Sequence, residues 1–378
     1  MSDISLPTGA SSRKLTVSGR INRLIATPKF QAWAARFPLT RRMVRRDGEA
    51  LFDLVAGFCH SQVLMALVDL RVPDMLMDGP MGATALGHRC RIPADRMAVL
   101  LRAAVSMDLL KITRGGEFKL SRKGAALVGV PGLREMILHH SVLYADLADP
   151  VAFFRGEVET QLAGFWPYVF GADGQGDPQV AATYSDLMAQ SQLMVAQDTL
   201  SVVSFKGTKT LMDIGGGTGA FLRAALLATP DLRGTLFDLP EVVAKAPQGG
   251  LSDRINVAGG SFRHDPLPKG ADAISLIRVL YDHADETVAA LLSKIYDVLP
   301  AGGKLIISEP MTGGDTPHRA GDAYFSLYTM AMRTGKARSA DQIMKACQAA
   351  GFTTVSALKS QRPFITSVVV AEKKHDNL

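Results

Sequence analysis

Between positions 211 and 221 the chain reads Leu-Met-Asp-Ile-Gly-Gly-Gly-Thr-Gly-Ala-Phe, a short apolar run that ends at Asp213 and then turns through Gly215, Gly216, Gly217 and Gly219. Glycine allows the backbone to turn sharply after a strand and lets a ligand lie against bare peptide. The residues that follow, FLRAALLA, form helix readily, and a helix N-terminus presents unpaired N–H groups and positive dipole. A turn of this kind suits an anionic or carboxylate-bearing cofactor. Taken alone it does not choose one, because Gly215-x-Gly217-x-x-Ala220 also satisfies the permissive dinucleotide fingerprint.

The polar residues downstream narrow the choice. Asp238 closes a second apolar run, GTLFD, and a carboxylate there can accept hydrogen bonds from ribose hydroxyls. A third run, INVAGG, leads to Ser261 and Phe262; a fourth, ADAISLI, to Arg278, Tyr281, Asp282 and His283; a fifth, KLIIS, to Glu309. Chemistry-bearing side chains therefore gather where apolar strands stop, as when a ligand binds outside the carboxyl ends of a parallel sheet. Amphipathic segments such as ETVAALLSKIYDVL lie between the runs, giving a β-α-β alternation and an α/β fold.

This series resembles the class I S-adenosylmethionine-dependent small-molecule O-methyltransferases, the group that contains acetylserotonin and caffeic acid methyltransferases. Their D-x-G-G-G-x-G, F-D-L-P, G-G-D-F and R-V-L-H-D-W-x-D-E segments, and a strand ending in Glu, are largely matched in order and spacing from Leu211 to Pro310. The resemblance implies a Rossmann-like S-adenosylmethionine domain with an N-terminal helical, winged-helix dimerisation domain, a homodimer, and no metal. It implies cofactor contacts at Asp213, Gly215 and Gly217 around the methionine moiety, at Asp238 and Leu239 on the ribose, and at Ser261 and Phe262 near the adenine. Arg278 is a further expected contact, as are Trp166 and Met188 in the linker. The expected division is a basic arm over 1–48, a winged-helix-like unit over 49–163, a helical linker over 164–207 and the catalytic domain over 208–378. In the second segment Thr84 is the expected N-cap of ALGHRC, and KITRGGEFKLS reads as the wing hairpin. The last residues, TTVSALKS and ITSVVVAEKK, read as an antiparallel edge hairpin.

Departures from the family pattern bear on the acceptor. Where the family carries its histidine base this chain has Tyr281, and His283 occupies the tryptophan position two residues on. Ser261 replaces the adenine-contacting acid, and Ala337 stands where an acid helps to orient the base. A neutral tyrosine, with a reference pKa of about 10, is a poor base at pH 7, whereas an imidazole titrates near neutrality. His283 is therefore the expected proton acceptor, supported by Asp282 or Glu309, with Tyr281 orienting the hydroxyl. Such a site suits an aliphatic alcohol, for which in-line positioning carries much of the rate. Phe325, Tyr328 and Met332 recur at helical spacing and form the expected apolar acceptor lining, in which methionine adapts to long irregular ligands. With R-V-L-Y-D-H, these residues resemble the bacterial carotenoid O-methyltransferases of the spheroidene pathway in purple phototrophs. That likeness implies methylation of a tertiary hydroxyl on a hydroxylated carotenoid. Another apolar acceptor (a bacteriochlorophyll-type ring, an aromatic polyketide, a phenol) and a winged-helix regulator that senses S-adenosylmethionine stay open at this level.

The frame is consistent with these readings. A chain of 378 residues has length for two domains and a sizeable core. Cys59, Cys90 and Cys347 are far apart and form no metal or redox spacing, which fits a reducing cytoplasm. The first residues are polar with no apolar stretch behind them, so no secretory signal is expected. Leu51 to Leu70 is the most apolar early stretch; Asp53, His60, Gln62 and Asp69 interrupt it, and the reading is a buried helix. The net charge of +6 is uneven, with ten basic residues and no acid from Arg13 to Arg46. Those charges fit a solvated arm. Interleaved Leu24, Ile25, Phe30, Trp33 and Phe37 also fit a segment lying on an anionic inner or photosynthetic membrane, and nucleic acid is a weaker match.

Overall fold

A computed structural model of the protein describes residues 16–164, 191–246, 251 and 253–374. Trp166 and Met188 lie outside the described residues. The chain divides into two compact units, 1–121 and 122–378.

In the first unit the described part of the basic stretch forms helices joined by short turns at 26–27 and 37–40. Helix α1 (Val17–Ile25) starts at Thr16, whose Oγ1 accepts from the Gly19 amide, and α2 (Pro28–Arg36) starts at Thr27, whose Oγ1 accepts from Phe30. The position 48/49, expected to separate arm from domain, falls inside α3 (Arg41–Asp69). Only the last turns of α3 are buried, at Leu67 and Val68. Leu51, Phe52, Leu54, Val55 and Phe58 are exposed, Phe58 by 71%. The expected buried helix is thus corrected over its first half, which no other described part of this unit covers. By length and composition alone α3 is long and apolar enough to cross a membrane.

The rest of the unit has the winged-helix elements. Helices Ala83–Cys90 and Ala94–Ser106 pack on the end of α3 through Leu67, Leu86, Met97 and Leu101. The wing pairs β1 (Leu110–Ile112) with β2 (Phe118–Leu120) antiparallel, turning where Gly116 takes φ +80°. Thr84 is not the cap expected for the first of these helices: Gly82 is, without a side-chain bond, and Thr84 sits one residue inside.

The second unit is built on a seven-stranded sheet. Its strands are β3 (Thr210–Ile214), β4 (Arg233–Asp238), β5 (Ile255–Gly259), β6 (Ala273–Ile277), β7 (Lys304–Glu309), β8 (Thr354–Leu358) and β9 (Ser367–Glu372), in the order β5-β4-β3-β6-β7-β9-β8. The first five are parallel and β9 joins β7 antiparallel, with β8 on its outer edge as the expected hairpin. All five residues of β6 are buried, as a central strand covered on both faces requires. One core layer is formed by Ile274, Leu276, Leu291, Ile295 and Ile343, the other by Leu211, Phe221, Leu222, Leu236 and Ile306. Because strand order reverses about β3, the ends of β3 and β6 open a crevice at the topological switch point.

Helices Leu133–Asp146, Pro150–Phe154 and Gln161–Gly164 belong to this second unit, whereas the expected division assigned them to the winged-helix segment. Leu143, Phe153 and Leu162 cluster with Tyr328, Ala331 and Met332, and this apolar contact draws them to the helix Ser326–Met332. A π-helical turn, Arg319–Phe325, leads into that helix. Such turns displace side chains by one position and recur at functional sites.

Candidate active site

The crevice begins at the glycine turn. Gly215, Gly217 and Gly219 all have left-handed φ values (+66°, +59° and +81°). A Cβ on Gly216 would stand 2.5 Å from Asp213 Oδ2 and 2.6 Å from Leu236, so only glycine fits, while Gly217 faces open space. Asp213 is fully buried. Its register opposite Ser275 lets the Ser275 hydroxyl donate to Oδ1 at 2.6 Å, and Oδ2 has no partner. Burial, opposed by the Ser275 bond and reinforced by Asp238, pushes its carboxyl up to about 7.

Asp238 is shaped by the same turn. Its Oδ2 accepts from the Gly217 amide at 2.8 Å and Oδ1 from Leu239 at 2.7 Å. The carboxylate is thereby held rigidly and half-buried, with lone pairs left for a vicinal diol. Burial raises its pKa above the usual range despite the two amides. Open backbone at Gly217, an unpartnered buried Asp213 oxygen and a fixed Asp238 carboxylate fit the amino-acid and ribose parts of S-adenosylmethionine.

Past β5, Ser261 Oγ accepts from the Arg263 amide at 3.3 Å, while the Ser261 amide donates to Asp265 at 2.8 Å. Lys294 Nζ pins this loop through the carbonyls of Phe262, Arg263 and Asp265. Phe262 meets the His283 ring edge-on, with centroids 5.2 Å apart.

That contact and its neighbour overturn the expected role of His283. Arg263 donates to His283 Nδ1 at 2.9 Å. A guanidinium cannot accept, so Nδ1 must be the lone-pair nitrogen and Nε2 carries the proton. Burial, with Arg263 and Arg338 nearby, pulls its pKa down to about 4. With its lone pair occupied, His283 is a neutral hydrogen-bond donor beside Phe262 and not a base for the acceptor.

Tyr281 is almost wholly buried and its hydroxyl accepts from Arg278 Nη2 at 3.3 Å. Burial holds the phenol well above its ordinary pKa. Arg278 has φ +59°, a strained value for a non-glycine residue, and Nη1 donates to Ser191 at 2.7 Å. Asp282, next along, has its pKa raised by burial, and Oδ1 has no partner. Glu309 acts on the backbone: Oε2 accepts from the Tyr281 amide at 3.1 Å, and burial pushes it up to about 7.

Arg338, which sequence reasoning passed over in favour of Ala337, clamps this loop. Its Nη1 donates to the Leu280 carbonyl at 2.9 Å and Nη2 to the His283 carbonyl at 2.8 Å, while Nε and Nη2 reach Asp285 at 2.9 and 2.7 Å. The Lys336 amide adds a bond to the Tyr281 carbonyl at 2.8 Å. Only a basic residue following the TGK segment hinted at it.

Of the expected acceptor lining, Tyr328 is buried with its hydroxyl 3.0 Å from His139 Nε2, and Phe325 packs edge-on against Tyr324. Met332 is corrected to a core residue: it is fully buried against Leu143, Phe153 and Leu162, with no surface to offer a ligand. Tyr324, His139 and His140, none singled out from sequence, join this group. A separate open cleft lined by Arg233, Arg254 and Lys269 lies at the amino ends of β3 to β5, away from these residues.

Comparison with known proteins agrees with this geometry. Residues 144–353 match a family model described as an O-methyltransferase domain, and residues 52–128 match an O-methyltransferase dimerisation domain. The chain is 51% identical to demethylspheroidene O-methyltransferase of Cereibacter sphaeroides over 358 residues, covering 94% of each, and 50% identical to the enzyme of that name from Rhodobacter capsulatus, covering 94% of this chain and 90% of that one. Among solved structures, human N-acetylserotonin methyltransferase in complex with SAM superposes with a TM-score of 0.71 at 26% identity, covering 87% of this chain and 98% of that one. The dimerisation match begins inside α3 and takes in the winged-helix elements, which removes the ground for reading them as a DNA-binding regulator. These matches establish that the chain belongs to the O-methyltransferase family.

Proposed function

We propose that this protein methylates the tertiary hydroxyl of a hydroxylated carotenoid of the demethylspheroidene type, with S-adenosylmethionine as methyl donor. The observation that carries the reading is 51% identity across 94% of both chains to an enzyme of that name. The site supports it through Tyr281, which replaces a base with a buried, un-ionised phenol suited to an alcohol.

When bound, the cofactor supplies an electrophilic methyl group. Asp238 and the amides it orders hold the ribose, and Asp213 with the glycine turn receives the amino-acid end. Phe262 and the Nε2–H of His283 border the adenine side. Arg278 holds the Tyr281 hydroxyl in place, and Arg338 and Glu309 fix the backbone that carries Tyr281 and Asp282. Incubating the protein with labelled cofactor and demethylspheroidene, followed by mass spectrometry, tests the assignment. A methyl ether of the carotenoid is expected; labelling of phenols instead of the carotenoid refutes it.

The chain carries its family's dimerisation domain, and a homodimer formed through it would cover the exposed first half of α3. We further propose that α1 and α2 rest on the anionic face of the inner or photosynthetic membrane, where so apolar a substrate resides. Val17, Ile21, Leu24 and Ile25 form one exposed apolar face of α1, Arg20 and Arg23 flank it, and Trp33 is exposed on α2. Deleting residues 13–46 should reduce sedimentation with anionic liposomes, as should added salt. Equal sedimentation of the full and shortened chains would refute membrane contact.

A further inference from the structure

His139 and His140 are neighbours on the helix Leu133–Asp146, and each meets a tyrosine on the opposing segment. His140 Nε2 lies 2.7 Å from the Tyr324 hydroxyl and His139 Nε2 lies 3.0 Å from the Tyr328 hydroxyl. Tyr324 belongs to the π-helical turn and Tyr328 to the helix that follows, and their rings are 6.1 Å apart. The pairs adjoin the catalytic loop: Arg278 is near enough to act electrostatically on Tyr324, and Tyr281, Arg278 and Asp282 act on Tyr328. Tyr328 is itself part of the buried apolar cluster of Leu143, Phe153, Leu162 and Met332, and Tyr324 packs against it. Two adjacent phenols thus lie within an apolar cluster near the 278–283 loop, each paired with an imidazole.

We propose that His139 and His140 are positioning residues that lock the hydroxyls of Tyr328 and Tyr324, so that the Tyr324 oxygen accepts the one hydrogen bond that the acceptor alcohol can donate and orients its oxygen. This rests on the alcohol acceptor proposed above. The chemistry of each pair favours one direction. A phenol donates its O–H to an imidazole lone pair, which leaves the oxygen's own lone pairs for the incoming hydroxyl. Both tyrosines are buried and held above their ordinary pKa, so they keep their protons. Burial, with His139 alongside, pulls His140 down to about 4, and burial lowers His139, so both lone pairs are present at neutral pH. Tyr144 packs against His140, with ring centroids 6.2 Å apart. A free phenol rotor would have to be ordered on binding; a phenol already fixed by histidine is pre-organised.

The test combines one readout that needs no substrate with one that does. Nitrogen NMR of histidine-labelled protein should show both Nε2 atoms as hydrogen-bond acceptors with the proton on Nδ1, and Tyr324→Phe should shift the His140 signal alone. Finding the proton on Nε2 of His140 overturns the proposal. With demethylspheroidene as acceptor, His140→Leu should raise KM about 3- to 10-fold, the worth of one neutral hydrogen bond. His140→Gln, which keeps an acceptor atom at that reach, should stay within about twofold of wild type. S-adenosylmethionine affinity by calorimetry should be unchanged in both. Tyr324→Phe combined with His140→Leu should be no worse than either alone. A His140→Leu enzyme with wild-type KM, or one whose cofactor affinity falls equally, refutes the positioning role. A wild-type enzyme that leaves the carotenoid unmethylated refutes the substrate assignment instead, and the NMR result still decides the geometry of the pairs.

Discussion

Replacing Arg338 by methionine removes the cation while keeping most of the side-chain length. The guanidinium is 4% exposed and donates to the carbonyls of Leu280 and His283, which flank Tyr281 and Asp282. The His283 carbonyl, left without a donor in that buried setting, costs about 1–3 kcal/mol, and the Leu280 carbonyl, which keeps the His283 amide at 3.1 Å, about 0.5–1.5 kcal/mol. The bond to Asp285 adds little, about 1 kcal/mol at most, because that carboxylate is 56% exposed and screened by water. The sum, about 1.5–5.5 kcal/mol, spans the usual cost, about 3–5 kcal/mol, of removing one partner from a buried charged network. In urea titrations followed by circular dichroism the midpoint should fall with little change in slope, and the melting temperature should drop by about 10 °C. Arg338→Lys should recover only part, since an ammonium cannot reach both carbonyls and Asp285 with the fork of a guanidinium. Cofactor affinity should weaken less than turnover, because the clamp holds the Tyr281–His283 loop and not Asp238. A loss below about 1 kcal/mol would show that the loop is held elsewhere, by Glu309 and the Lys336 amide, and would refute the clamp.

Further outcomes follow from the same geometry. Asp238→Ala should weaken S-adenosylmethionine binding at least about tenfold by calorimetry, since a charged acceptor is worth about 1.5–3 kcal/mol; unchanged affinity removes the ribose assignment. His283→Ala should leave the pH dependence of turnover between about 6 and 8 as it is in wild type, because the imidazole is neutral above about 4; loss of a titration step in that range would restore His283 as the base. Asp213, raised to about 7 in the fold, binds more protons there than in the unfolded chain between about pH 4 and 7, so its contribution to stability falls as pH rises through that window. The stability of Asp213→Asn relative to wild type should therefore improve with pH across it, by on the order of 1 kcal/mol per unit, and a flat difference in paired urea titrations would show that the carboxyl is not so perturbed.

Much of the catalytic unit was legible along the chain, because its information is local. Apolar runs of strand length, glycines that must turn, and acids at strand ends each declare themselves within a few residues, and so Asp213, Gly217, Asp238 and the β-α-β order could be read without a structure. Direction and partnership could not, since they depend on what folds back from elsewhere. His283 looks like a base in sequence, and only the approach of Arg263, 20 residues earlier, takes its lone pair. Met332 shares helical spacing with Tyr328, yet the contact of Leu143, Phe153 and Leu162 makes it core. Arg338 and the His139–Tyr328 and His140–Tyr324 pairs span separations of 55, 189 and 184 residues, distances over which no pattern of types or spacing gives a signal. The sequence by itself determined the glycine turn and the strands that carry it. The tertiary structure alone decided which nitrogen is free and which hydroxyl is held, because hydrogen bonds are settled by proximity and burial, and neither is a property of neighbours in the chain.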